Sequence, residues 1–326
     1  QNPYWITERN LFNTDRDRYM ANAGLKYRVF DWMDISGRVR IDNAITRNTK
    51  KLYASTDAKY AQSKGYYGDE TSIDKQIYAD LLVNINKRFN DFDLTANVGA
   101  SIQDLSYERN GAQGQISLIP TFFTLHNVDL NANNSRLRQD GWKEQTQSVF
   151  ASAELGWKSM LYLSATARND WASALQGTPN VSFFYPSVGL SAVVTEMIKL
   201  PEWLTFWKLR TSYSSVGNAP SRYLTIPTYG FNSNGEFQTN THMPIPELEP
   251  ERTKSFEIGT NMKLFDGRLG LDFTYYKSNT YNQTFEAKAS PSSGYSTFFI
   301  QAGDIENWGI EAMVSYDDTF GGVKWG

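Results

Sequence analysis

The stretch TKSFEIGTNMKLFDGRLGLDFTYYKSNT, from Thr253 to Thr280, decides the fold class. Phe256, Ile258, Thr260, Met262 and Leu264 fall on one parity, with Glu257, Gly259, Asn261 and Lys263 on the other. That is the period of two of a strand with one apolar and one wet face. Asp266-Gly267 then predicts a hairpin, because Asp tolerates and Gly readily adopts the positive φ values of a type I′ turn. On the return, Leu269, Leu271, Phe273 and Tyr275 oppose Arg268, Gly270, Asp272 and Thr274. Each arm is about a dozen residues long. The usual globular strand has ~5–6, whereas a tilted strand crossing an outer membrane has ~10.

The same unit recurs in both directions along the chain. Tyr19, Ala21, Ala23, Leu25, Tyr27 and Val29 share a face, with tyrosines at both ends of the apolar band in the manner of an aromatic girdle. After a link at Asp31-Trp32 come Ile35, Gly37, Val39 and Ile41, with Ser36, Arg38, Arg40 and Asp42 opposite. Ile77 to Phe89 and Phe92 to Ile102 form the next pair across Asn90-Asp91, and Val149 to Trp157 and Leu161 to Ala167 the third across Lys158-Ser159. Phe184 to Thr195 alternates less cleanly. Trp207, Leu209, Thr211 and Tyr213 precede the opening hairpin; Ile310, Ala312, Val314 and Tyr316 follow it. A turn at Gly321-Gly322 leads into Val323-Lys324-Trp325.

Connections alternate too. Short links near residues 31, 90, 158, 200, 266 and 321 are separated by long ones at about 48 to 75, 104 to 147, 172 to 183, 218 to 252 and 281 to 308. Outer-membrane barrels keep such a rule, with short turns on the periplasmic side and long loops outside. The expected fold is therefore all-β, an antiparallel transmembrane β-barrel segment of about twelve strands. Because only a closed sheet satisfies its backbone in lipid, residues 1–326 are expected to be part of a larger barrel.

Composition agrees. Nineteen Tyr, nineteen Phe and nine Trp make 14% aromatics, yet mean hydropathy is only -0.51. Lipid-facing residues diluted by a polar lumen and wet loops have this profile. No run approaches the ~20 apolar residues of a spanning helix, and QNPYWITERN does not read as a targeting segment. A net charge of -3 argues against nucleic acid as a partner. Zero cysteines exclude thiolate sites, and His126 and His242 stand without metal-ligand spacing, so no cofactor or metal is expected.

Five stretches in order resemble the SusC/RagA-type TonB-dependent outer-membrane transporters. They are NPYW at Asn2 with VFDWMDISGR from Val29; ARNDWASAL from Ala167 with FFYPSVGLSAV from Phe183; WKLRTSYSSVGNA from Trp207; the block from Leu248 to Thr280; and SGY at Ser293 with AGDIENWGIE from Ala302. Trp308 stands where that family commonly has Lys or Arg. The resemblance implies a barrel of about 22 strands closed by a plug, localised to the outer membrane of a Gram-negative bacterium. It implies active import of oligosaccharides or oligopeptides. It also implies a SusD-like surface lipoprotein as partner, and energy from the TonB-ExbB-ExbD complex through the plug. The plug, the TonB box and the final strands are expected outside residues 1–326.

The residues themselves offer candidate substrate contacts. Tyr66, Tyr67, Trp142, Phe183, Tyr229, Phe231, Tyr295 and Phe298 enrich the predicted loops, and Arg168 and Asp170 lie on the wet parity. Flat rings stack on sugar faces while charged groups bond hydroxyls. The alternative for each ring is packing within its loop or against a partner. Two other functions compete. A soluble glycan-active enzyme would use paired carboxylates such as Glu247, Glu249 and Glu251, although this spacing reads more simply as a solvated return into a strand. A siderophore-type receptor or passive porin would share the barrel but not the family blocks.

Overall fold

The computed structural model describes residues 2–232, 236–320 and 323–325. In chain order the strands are β1 (Asn10–Phe30), β2 (Met33–Leu52), β3 (Tyr66–Phe89), β4 (Phe92–Gln115), β5 (Arg136–Trp157), β6 (Leu161–Ala172), β7 (Ser182–Val193), β8 (Leu204–Asn218), β9 (Gly230–Phe231), β10 (Phe237–Gln238), β11 (His242–Met243), β12 (Glu251–Leu264), β13 (Leu269–Tyr281), β14 (Thr284–Lys288), β15 (Thr297–Gln301), β16 (Asp304–Tyr316), β17 (Asp318–Phe320) and β18 (Val323–Trp325). Eleven of them make one antiparallel sheet in the order β1-β2-β3-β4-β5-β6-β7-β8-β12-β13-β16. Each strand lies beside its neighbour along the chain, with only short loop strands skipped. This is the meander of an up-and-down barrel wall.

Among the described residues the wall has eleven strands, in line with the roughly twelve expected, and the expected last strand stands apart from it. Residues Val323–Trp325 pair with Asp318–Phe320 in a two-stranded sheet of their own. The predicted turn at Gly321-Gly322 lies outside the described residues.

Register carries the two faces across the wall. Ala23, Val39, Ala79 and Ile102 form one cross-strand row, and Gly24, Arg38, Asp80 and Ser101 the row beside it. Apolar side chains of the first kind are solvent-accessible: Leu25 is 78% and Ile310 60% exposed, and Leu81, Leu163, Ile258 and Phe273 are exposed as well. A continuous exposed apolar face is the surface that lipid covers.

On the opposite, lumenal parity Arg–Asp pairs link strands. Arg38 Nη2 lies 2.8 Å from Asp80 Oδ2, and Arg210 forks onto Asp272 at 3.0 and 2.8 Å. Asn97 accepts from Ser152 at 2.8 Å. Among the described residues, the ion pairs on the apolar parity, Arg47–Asp69 and Lys277–Glu306, lie beyond the band. Within it, Trp207 Nε1 donates to Thr260 Oγ1 across strands at 3.0 Å, so this indole needs no water.

The tight links follow local chemistry. Asn90 has φ 51°, and Lys158 and Ser159 have φ 51° and 56°. At the opening hairpin Asp266 and Gly267 take φ 57° and 85°, as expected, but Phe265 joins them at 55°. The link is therefore four residues between Leu264 and Leu269, not a two-residue type I′ turn. A left-handed non-glycine residue costs about 1–2 kcal/mol; here Phe265 N donates to Trp203 O at 2.8 Å, which ties this turn to the neighbouring one. The longest short link, after β7, contains a one-turn helix, Val194–Met197.

Candidate functional site

The wall is uneven at its loop end. β1 to β5 run 20–24 residues, whereas the wall strands from β6 onward run 12–15. The long connections shrink accordingly, to residues 53–65 and 116–135 in the tall half, because much of the sequence expected to be loop is strand. The step falls between β5 and β6. β5 pairs with β4 from Arg136 to Trp157 but with β6 only from Thr146.

Three small apolar cores hold the loops. Leu52, Ala61 and Tyr66 form one; Tyr67, Ile116 and Val128 with Phe123 a second; Ala172, Leu175, Phe183 and Leu248 a third. In the loop after β4, the buried Asn127 amide accepts from Leu118 N and Ile119 N at 3.0 and 3.2 Å and donates to Ile119 O and Phe122 O at 2.8 and 2.9 Å. One side chain thus takes up the N–H groups of Leu118 and Ile119 and adds to the loop's own backbone bonds, such as Ser117 N to Asn127 O at 2.7 Å.

The loop between β8 and β12 folds back against the lumenal face of β5. Arg222 places its guanidinium 3.5 Å from the centroid of the Trp142 ring, donates to Glu144 Oε2 at 2.9 Å, and Trp142 stacks on Tyr107 at 6.1 Å. Lower on the same face, Arg168 Nε donates to Asp170 Oδ1 at 2.7 Å and Nη2 to Ser148 Oγ at 2.8 Å, while the Tyr185 hydroxyl donates to Asp170. Asp170 is buried, with Arg168 on one carboxylate oxygen and Tyr185 on the other.

Beyond Arg222, β9 and β10 form a small hairpin that carries Tyr229 stacked on Phe237 at 5.7 Å and Phe231 edge-on to Phe237 at 6.2 Å. Between this hairpin and the upper end of β5 lies a cleft of about 910 Å³, lined by Arg136 to Gly141 on one side and by Tyr229, Gly230, Phe231, Asn232 and Phe237 on the other. Arg138 Nε is 3.5 Å from Glu70 Oε1 and has no hydrogen-bond partner; Arg109 pairs with Asp140 at 2.6 Å. Lys50 sits 4.6 Å over the Tyr66 ring. Burial, and then Arg136 nearby, push its ammonium below the usual lysine range.

The ten candidates therefore separate. Tyr66, Tyr67 and Phe183 are buried in loop cores, and burial raises the two N-terminal phenols above the usual tyrosine range. Trp142, Arg168 and Asp170 stand on the lumenal wall. Tyr229 and Phe231 are exposed beside the cleft. Tyr295 and Phe298 belong to a separate patch, where β15 pairs with β14 and, in parallel, with β11; there His242 faces Glu286 at 3.6 Å. Sequence reading missed Phe237, Arg136, Arg138 and Arg222. The Arg222–Glu144 contact spans 78 residues and leaves no local pattern. Of the three glutamates weighed as catalytic, Glu249 accepts from Asn282 Nδ2 at 2.6 Å and anchors its loop. Among the described residues no group of three or more His, Cys, Asp or Glu side chains has metal-binding geometry.

A two-faced meander with short turns at one end and long, partly ordered loops at the other defines a transmembrane β-barrel wall. The model of the TonB dependent receptor-like β-barrel matches residues 1–326, and the chain belongs to that family, whose members are outer-membrane transporters rather than enzymes. It is similar to TonB-dependent receptor P3 of Formosa agariphila, at 25% identity over 96% of this chain and 32% of that protein. In structure it resembles the RagAB peptide transporter, with TM-score 0.84 at 18% identity over 98% of this chain and 36% of the other. It resembles the ferric-catecholate import receptor Fiu of E. coli less closely, with TM-score 0.57 at 12% identity over 96% and 46%. The chain spans about a third of the length of the curated relative.

Proposed function

We propose that this chain is the mid-to-late barrel wall of a TonB-dependent importer in the outer membrane of a Gram-negative bacterium, and that the whole receptor takes up oligosaccharides or oligopeptides. The observation that carries the reading is the wall itself, with an exposed apolar face, a lumenal face of Arg–Asp pairs and a loop folded onto that lumen at Arg222. The five sequence blocks support a SusC-like transporter working with a SusD-like lipoprotein. Energy enters through the TonB complex and the plug, which the rest of the receptor supplies. Candidate contacts on this chain are Trp142, Tyr229, Phe231 and Arg168, whose guanidinium Asp170 holds, and the cargo meets them before or during passage.

The test is uptake by cells producing the complete receptor. Labelled oligosaccharides and oligopeptides are supplied in parallel, with and without a protonophore. Accumulation that requires both receptor and proton gradient supports import. Accumulation unaffected by the protonophore points to a passive porin, and growth dependence on ferric chelates alone to a siderophore receptor. Affinity purification of the receptor from membranes tests the lipoprotein partner.

A further inference from the structure

We infer that the upper edge of β5, from Arg136 to Glu144, docks an extended acidic peptide that joins the sheet as an added strand. The inference rests on the import reading for its cargo and narrows that cargo to peptide. Over these residues β5 is paired with β4 alone. β6 begins its pairing at Thr146, and Ser173 Oγ accepts from Gln145 N at 2.9 Å, which marks the lower end of the open edge. An edge strand presents a row of unpaired N–H and C=O groups, the template that extended peptides use for strand addition.

The cleft beside it has the shape for such an occupant. Its wall on this side is six consecutive residues, Arg136 to Gly141. Consecutive side chains of a strand point to opposite faces, so a cavity touched by all six opens along the edge and not over one face. The other wall is the aromatic hairpin, whose Tyr229, Phe231 and Phe237 are exposed. A peptide strand in this slot meets main chain on one side and rings on the other.

Charge sets the preference. Arg136 is exposed and has no carboxylate within 4 Å among the described residues, while Arg138, whose buried Nε lies 3.5 Å from Glu70, keeps part of its side chain open to the cleft. Asp140 is already taken by Arg109. Two guanidiniums on alternate residues of β5 match acidic side chains on alternate residues of an added strand. The exposed Leu137 between them matches an apolar side chain on the other face.

The test uses the complete purified receptor and an end-blocked, fluorescent heptapeptide of alternating Glu and Leu. Strand addition bonds only every second amide of the ligand, so N-methylation of one alternate set weakens binding by about tenfold or more. Methylation of the other set leaves binding within about twofold. Equal effects from both sets overturn the added strand. The double variant Arg136→Ala/Arg138→Ala weakens the acidic peptide by about fivefold or more and a Lys/Leu peptide less, with recovery in the Arg136→Lys/Arg138→Lys form. No loss overturns the acidic preference. Displacement of the peptide by an oligogalacturonate at equal concentration overturns the peptide assignment. Cellular uptake separates the two readings. If gradient-dependent uptake persists while the peptide does not bind, the edge site falls and import stands. If the peptide docks as described and cells take up neither cargo class, import falls and the docking site stands.

Discussion

The tall half of the wall, β1 to β5, and the short half, β6 to β16, use the same lipid-facing band but finish differently at the loop end. In the short half the strands stop near the top of the band, and an apolar core of Ala172, Leu175, Phe183 and Leu248 gathers two loops over it. In the tall half the strands continue about ten residues further. Polar pairs such as Arg47–Asp69 appear there on the parity that lower down is apolar. The tall half has two small apolar cores of its own, so the difference teaches that backbone pairing can carry extracellular chain further from the membrane before an apolar core closes it. The step between the halves leaves the β5 edge open.

The largest effect is expected where the short half depends on its core. Leu175 is fully buried, and Leu175→Ala should cost about 2–5 kcal/mol. The loss should be local, read as faster hydrogen exchange and protease cleavage at residues 172–181 while the wall remains folded. Leu52→Ala, equally buried in the tall half, sits on a strand paired on both sides, so protease should not gain access there. Matching cleavage at both sites would erase the distinction between the halves. Next comes the band that the halves share. Leu81→Arg should lower folding stability in bilayers by about 2–4 kcal/mol, because mid-bilayer lipid offers a guanidinium no acceptor. Thr71→Arg, on the same parity of the same strand but above the band, should stay within about 0.5 kcal/mol. A comparable loss from Thr71→Arg would place the upper part of β3 in lipid.

Parity made the wall legible in the sequence, and the same cause limits what parity reveals. Alternation arises because one face meets lipid and the other water. Ile77, Ala79, Leu81, Val83 and Ile85 carry it plainly, whereas residues 69–75 of the same strand, DETSIDK, are polar on both parities apart from Ile73 and read as loop. Tyr66, Tyr67 and Trp142 were therefore expected in loops and stand on strands. The site was less legible than the wall. Aromatic enrichment marked Tyr229 and Phe231, but nothing local in the sequence signals that their hairpin lies against Arg136 and Arg138.

A third, smaller effect tests the loop of the tall half that lacks a large core. Asn127→Ala removes four hydrogen bonds at once and takes the acceptor from the Leu118 and Ile119 N–H groups. A loss of about 1–3 kcal/mol in local stability is expected, visible as raised exchange at Leu118 and Ile119 with no change at residues 172–181.

The smallest effect concerns Asp69, on the outward parity eight residues above Ile77 and outside the membrane. Arg47 donates to its carboxylate through Nε at 3.0 Å and Nη2 at 2.5 Å. These hydrogen bonds, and then the guanidinium charge, hold Asp69 below the usual carboxylate range. A depressed folded-state value stabilises the fold above the unfolded value of about 3.9, and the contribution disappears as pH falls through the folded value. The window is therefore acidic, below about pH 4, with no change between pH 6 and 8. Arg47 is more than half exposed, so screening keeps the contribution of Asp69 to at most about 1 kcal/mol. Asp69→Asn should remove that share of the acid sensitivity of hydrogen exchange at the top of β2 and β3, and 0.5 M salt should do the same in the unaltered protein. If the variant instead shifts exchange in the lower strands, the pair is coupled to the membrane band, and the upper wall is not the separate, water-bathed extension that distinguishes the tall half.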